Sequence, residues 1–230
     1  MRKYDGIDFT DDIFLEVQKY GGNCMIKPNP CYDNIPIEAY ESLLSRMSED
    51  ELIELLSPLL GNRIDAAALP VVYEKVMQYL NKRISSAKNN KQVYIYNKEG
   101  LLEFFETGRL TDHLDNLPPF NREEIRMVIL NLLECGNSPN GDYTLYIMDK
   151  KLPRKDLIMN VTKDFGIHIE YIYPEQTDGL WKMILVQSKR LSEIFCDYFE
   201  NHVPVNHAME NGEAESFLRS LIDQGDCAIP

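Results

Sequence analysis

A chain of 230 residues with net charge −13, 44% hydrophobic and 27% charged residues, has the composition of an ordinary globular protein. The acidic balance extends over both halves and argues against direct nucleic-acid binding, which needs a concentrated basic stripe to neutralise phosphates. No apolar run approaches the roughly 18 residues of a membrane span, and "MRKYDGIDFTDDIF" has no signal-peptide core, so a cytoplasmic location without membrane association is expected.

In chain order, Thr10 with Asp11 and Asp12 marks a helix start, and Gly21-Gly22 its end. "NCMIKPNPCYDNIP", with three Pro and three Asn, reads as a loop. Ile37, Tyr40, Leu43, Leu44 and Met47 then share one face of a helix. Ser48 and Glu51 form a capping box for a second helix, stopped at Gly61-Asn62. A third helix follows from Asp65, with Leu69, Val72, Tyr73, Val76 and Leu80 inward. These elements make residues 1–84 a helical N-terminal region, and "SSAKNNKQ" (85–92) a linker to an α+β domain at 93–224.

That second part opens with the strand "VYIY" (93–96), and Asn97 caps "KEGLLEFFETG". Asn121 and Glu124 make a capping box for "REEIRMVILNLLECG", whose Ile125, Val128, Ile129, Leu132 and Leu133 repeat at helical spacing. Beyond "NSPNGD" the period falls to two, and 143–149, 156–164, 166–174 and 180–188 read as strands. Their short connections predict antiparallel pairing. Ser188 opens a helix ended by Pro204, a last helix covers 212–224, and 225–230 is a frayed tail. The expected fold is therefore α+β: an N-terminal helical part, then an antiparallel sheet of four to five strands flanked by helices.

The polar stretch "GRLTDHLDNLPPFNREE" (108–124) contains Arg109, Asp112 and His113. Neighbours on a helix do not face each other, so Asp112 and His113 form no Asp–His relay. The stretch reads as a structural joint, and if it contacts a ligand those three residues do so. Tyr146, Tyr171 and Trp181 on the predicted sheet are either core or the lining of an apolar pocket with polar handles. His168 alternates with Ile167 and Ile169 and is expected on the solvent side.

Five cysteines (Cys24, Cys31, Cys135, Cys196, Cys227) form no Cys-x-x-Cys pair, so reduced thiols and no metal site are expected. The sequence has no nucleophile elbow, phosphate loop or dinucleotide fingerprint. No catalytic residue and no cofactor are assigned.

"VYIYNKEGLLEFFETGRLTDHLDNLPPFNREEIRMVILNLLE", continued by "TLYIMD" and "IFCDYFENHV", resembles the effector region behind the DNA-binding domain of Xre-type, Cro-repressor-like regulators of Gram-positive bacteria. The likeness covers about residues 93 to 224, and its motifs are packing motifs. A helix-turn-helix is missing: the one helix pair of suitable length has "DAAALPVVYE" where a reader helix would need basic residues. The resemblance implies a non-enzymatic regulatory module that senses a small ligand or a protein partner, including a second copy of itself. The alternative is an acidic interaction protein, antitoxin-like or a host-directed inhibitor, whose charge steers it to a basic partner.

Overall fold

The computed structural model describes residues 23–57, 64–89, 91–111, 116–136, 143–149, 157–171 and 182–226. The helix expected from Thr10, the stop at Gly61-Asn62 and the last four residues of the tail lie outside these ranges.

A mixed six-stranded sheet runs through the molecule. Its strands are β1 (Asn23–Lys27), β2 (Gln92–Asn97), β3 (Tyr143–Met148), β4 (Leu157–Thr162), β5 (Gly166–Tyr171) and β6 (Lys182–Val186). Their order across the sheet is β3-β2-β1-β4-β5-β6. β1 pairs parallel with β2, and β2 parallel with β3. On the other side β1 pairs antiparallel with β4, and β4, β5 and β6 form an antiparallel meander. The expected meander is therefore present over its last three strands, and the all-antiparallel sheet of four to five strands is corrected on two points.

First, "NCMIK" is a central strand. Its residues are covered on both faces, so no polar–apolar alternation marks it, and pairing on both edges supplies what its propensity lacks. Second, β3 does not pair with its neighbour in sequence, β4. The helical crossover between β2 and β3 is long enough to return the chain parallel, so β3 joins β2 at the sheet's far edge.

Strand alternation sorts the two faces. Met25, Tyr94, Tyr96, Tyr143 and Ile147 belong to the first core. Over it pack α1 (Ile37–Ser45), α2 (Glu49–Leu56), α3 (Leu69–Asn89), α4 (Lys98–Thr107) and α5 (Arg122–Gly136). Cys24, Val93, Ile95, Met148, Val161 and Ile167 form the second core. There they meet α6 (Lys189–Asp197), the π-helical turn Tyr198–His202 and α7 (Val203–Asn206). The last helix, α8 (Asn211–Asp226), adds Leu218 and Leu221 to the first core.

The caps predicted on described residues are present. Ser48 and Glu51 close a capping box on α2, Asn97 accepts from the Gly100 amide, and Ser188 accepts from the Leu191 amide. Asn121 and Glu124 exchange the two bonds of the other box, at 2.9 and 2.7 Å. The expected linker at 85–92 is instead the end of α3, with Ala87 fully buried, followed by the start of β2. The first core takes residues from both sides of that stretch, from Met25 to Leu221.

Candidate functional site

The loop after β1 organises one end of the sheet. Lys27 is 1% exposed; its Nζ donates to the Pro30 carbonyl at 3.1 Å and sits 5.5 Å from the centre of the Tyr32 ring. Asn34 donates to the Tyr96 hydroxyl and its carbonyl accepts from Asn131 Nδ2 at 2.9 Å. Asp33 accepts from Arg83 Nε at 2.8 Å. These buried polar groups satisfy one another, which is the condition for keeping them in a core.

The same loop pins the polar stretch. Gly108 adopts φ 67° as the C-cap of α4, and its carbonyl accepts from the Phe120 amide at 2.9 Å. Asn29 bonds inside the resulting loop: Oδ1 accepts from the Thr111 amide at 3.0 Å, and Nδ2 donates to the Arg109 carbonyl at 3.4 Å. Leu110, Leu117 and Phe120 are buried beneath it. The described part of 108–120 is thus a closed, anchored joint, and the Arg109 side chain is exposed. Asp112, His113 and Trp181 lie outside the described residues. Tyr171 closes β5, and its side chain is outside them as well. Tyr146 is half-buried on the second face, in other surroundings than Arg109.

Tyr146 borders a thiol–carboxylate cluster. Cys24 on β1 and Cys196 in the last turn of α6 are hydrogen-bonded through their sulfurs. Cys24 Sγ also approaches Glu200 Oε1, in the π-turn, at 3.9 Å, and the same oxygen accepts from Lys91 Nζ at 3.1 Å. The bond to Cys196, together with burial, pushes the Cys24 thiol well above its ordinary range. The bond from Cys24 draws the Cys196 pKa down against its burial. Burial raises the Tyr146 phenol, and Glu200 adds to that. Cys196 is therefore the thiol more ready to ionise, and Cys24 the proton holder.

A second feature lies beyond the carboxyl ends of the parallel strands β2 and β3. The amide of Met209 donates to the Ile147 carbonyl at 2.8 Å, and Ala208 bridges to Met148, so this segment lines the edge of β3 before α8 begins. An open cleft of about 690 Å³ results, within the range of ligand sites. Lys98 and Asp149 form one wall, with Nζ–Oδ1 at 3.0 Å, and Met209, Glu210, Glu213 and Ser216 line the rest. The first turns of α4 and α8 both border it, adding positive potential. The cleft combines one ammonium with three carboxylates. Among the described residues, no group of three or more His, Cys, Asp or Glu is placed to hold a metal ion, and no helix is long and apolar enough to cross a membrane.

His168 corrects an expectation: it is 8% exposed, beside Asn160 and in register with it across β4 and β5. Burial holds its imidazole below the ordinary pKa. None of the cleft or thiol residues was singled out from sequence. The signal for Lys98 is its place directly after β2, which becomes informative once β2 and β3 are known to be parallel; the two thiols share no local spacing. Compared with known proteins, the chain matches no family model, no curated protein and no solved structure.

Proposed function

We propose that this chain is a non-enzymatic regulatory module that binds a small, amine-bearing polar ligand in the cleft between α4, β3 and α8. The observation that carries this reading is the charge pattern of that cleft. Asp149, Glu210 and Glu213 suit a ligand ammonium, while Lys98 and two helix N-termini suit a carboxylate on the same molecule. The resemblance of residues 93–224 to the effector regions of Xre-type regulators supports a sensing role. Calorimetric titration with free amino acids and linear diamines tests it. Saturable binding that weakens at least tenfold in a Glu210→Gln, Glu213→Gln double variant is expected. No saturable heat from either class, or unchanged affinity in that variant, overturns the reading.

A second reading, an acidic protein-interaction module, rests on a different observation. The exposed large hydrophobics among the described residues are Ile184, Leu185, Leu191, Ile194, Tyr198 and Val205, all between β6 and α7. α6 carries Leu191 and Ile194 of this set together with Lys189, Arg190, Glu193 and Asp197, so a partner with an apolar patch and a rim of both charges would fit. Sedimentation velocity asks whether that partner is a second copy: association abolished by Ile194→Asp supports self-contact, and a monomer at all concentrations rules it out.

A further inference from the structure

We propose that Cys24 and Cys196 are a redox pair, converted by a hydroperoxide into an intramolecular disulfide that ties the centre of the sheet to α6. The inference does not depend on the ligand cleft. Its basis is the meeting of two buried thiols from elements far apart in the chain, packed in one core cluster, with Cys24 Sγ 3.9 Å from the Glu200 carboxylate. β1 is held on both edges by β2 and β4, so Cys24 is the fixed partner. Cys196 lies in the last turn of α6, two residues before the π-turn, and such turns concentrate at functional positions. The shift needed to bring the sulfurs to bonding distance falls on this side.

The chemistry balances with the hydroperoxide as oxidant. The Cys196 sulfur, the easier to ionise, attacks the distal oxygen; the O–O bond breaks, leaving a sulfenic acid and releasing an alcohol or water. Cys24 gives its proton to Glu200 and attacks the Cys196 sulfur, expelling hydroxide, which leaves as water after taking up that proton. In total two thiols lose two electrons and two protons, and the peroxide is reduced. The Lys91–Glu200 contact at 3.1 Å holds the carboxylate beside the pair. Both sulfurs are nearly closed off from solvent, so the reaction waits on local opening of the π-turn and is slow compared with that of an exposed thiol.

Treating the full chain with hydrogen peroxide, then alkylating under denaturing conditions and mapping peptides by mass spectrometry, tests the proposal. The chain has five cysteines, so alkylatable thiols should fall from five to three, with one cross-linked peptide joining Cys24 to Cys196. In Cys24→Ser, Cys196 should accumulate as a sulfenic acid trapped by a cyclic diketone. A Cys31→Ser, Cys135→Ser variant should still form the bridge. Five alkylated thiols after treatment, or a bridge between any other pair, overturns the proposal. The wild-type map decides the matter even where a variant fails to fold.

Discussion

The side chain of Asn29 holds the backbone of Thr111, 82 positions away: its Oδ1 accepts from the Thr111 amide at 3.0 Å. This bond fastens the loop after the central strand to the loop that closes α4. It also explains why a stretch with the residue types of an active site behaves as a joint.

Replacing Asn29 by Ala should leave the Thr111 amide without its partner and cost about 1–3 kcal/mol. Arg109→Ala, which alters an exposed side chain, should stay within about 0.5 kcal/mol. Urea denaturation of the two variants checks this. Equal losses would place the anchor in the Arg109 side chain instead.

Leu132 and Asn131 are adjacent on α5, and both are buried. Leu132→Ala should cost on the order of 2–5 kcal/mol through lost burial and a residual cavity. By helical periodicity alone Asn131 sits on the opposite, solvated face; in the fold it is 5% exposed and donates to the Asn34 carbonyl at 2.9 Å. Asn131→Ala should therefore cost about 1–3 kcal/mol, well above a surface change. Unchanged thermal unfolding of this variant would contradict the contact.

Because burial holds the His168 imidazole below its ordinary value of 6.5, the folded state favours the neutral form. That contribution is complete above the unfolded pKa and is lost as pH falls through the folded one. The thermal midpoint of the wild type should drop between about pH 7 and pH 5 more steeply than that of His168→Gln. Parallel curves would show that other groups set the acid limb.

Gly100 and Gly212 should respond oppositely to alanine. A Cβ at Gly100 would lie 2.2 Å from the Pro28 carbonyl oxygen, which already accepts from the Asn97 amide at 3.1 Å. Backbone must move, so Gly100→Ala should cost roughly 1–3 kcal/mol or more. A Cβ at Gly212 meets nothing within 4 Å, and Gly212→Ala should stabilise α8 by about 0.4–1 kcal/mol. Equilibrium unfolding separates the two signs.

Elements with local signatures were legible in the sequence. The capping boxes at Ser48 and Asn121, the stripe of α5 and the strand of Val93 to Tyr96 each announce themselves within a few residues. What was not legible depended on partners far along the chain. Asn23–Lys27 is a strand because β2 and β4 flank it, and His168 is buried because its face of the sheet is covered. The cleft needs the carboxyl ends of β2 and β3 beside the start of α8, a meeting no local pattern encodes. The thiol pair lies beyond local reading for the same reason.

The central position of β1 also sets an order of assembly. During synthesis, this strand leaves the ribosome long before either neighbour exists, since β2 starts at Gln92 and β4 at Leu157. Until then its edges have no mate, and the early helices have no floor to pack on. Such a topology delays the rewarding contacts until loops of high closure entropy have formed, which slows folding and exposes apolar surface meanwhile. Chains cut between α3 and β2 should therefore depend on chaperones or aggregate, whereas cuts within α8 should leave the sheet complete.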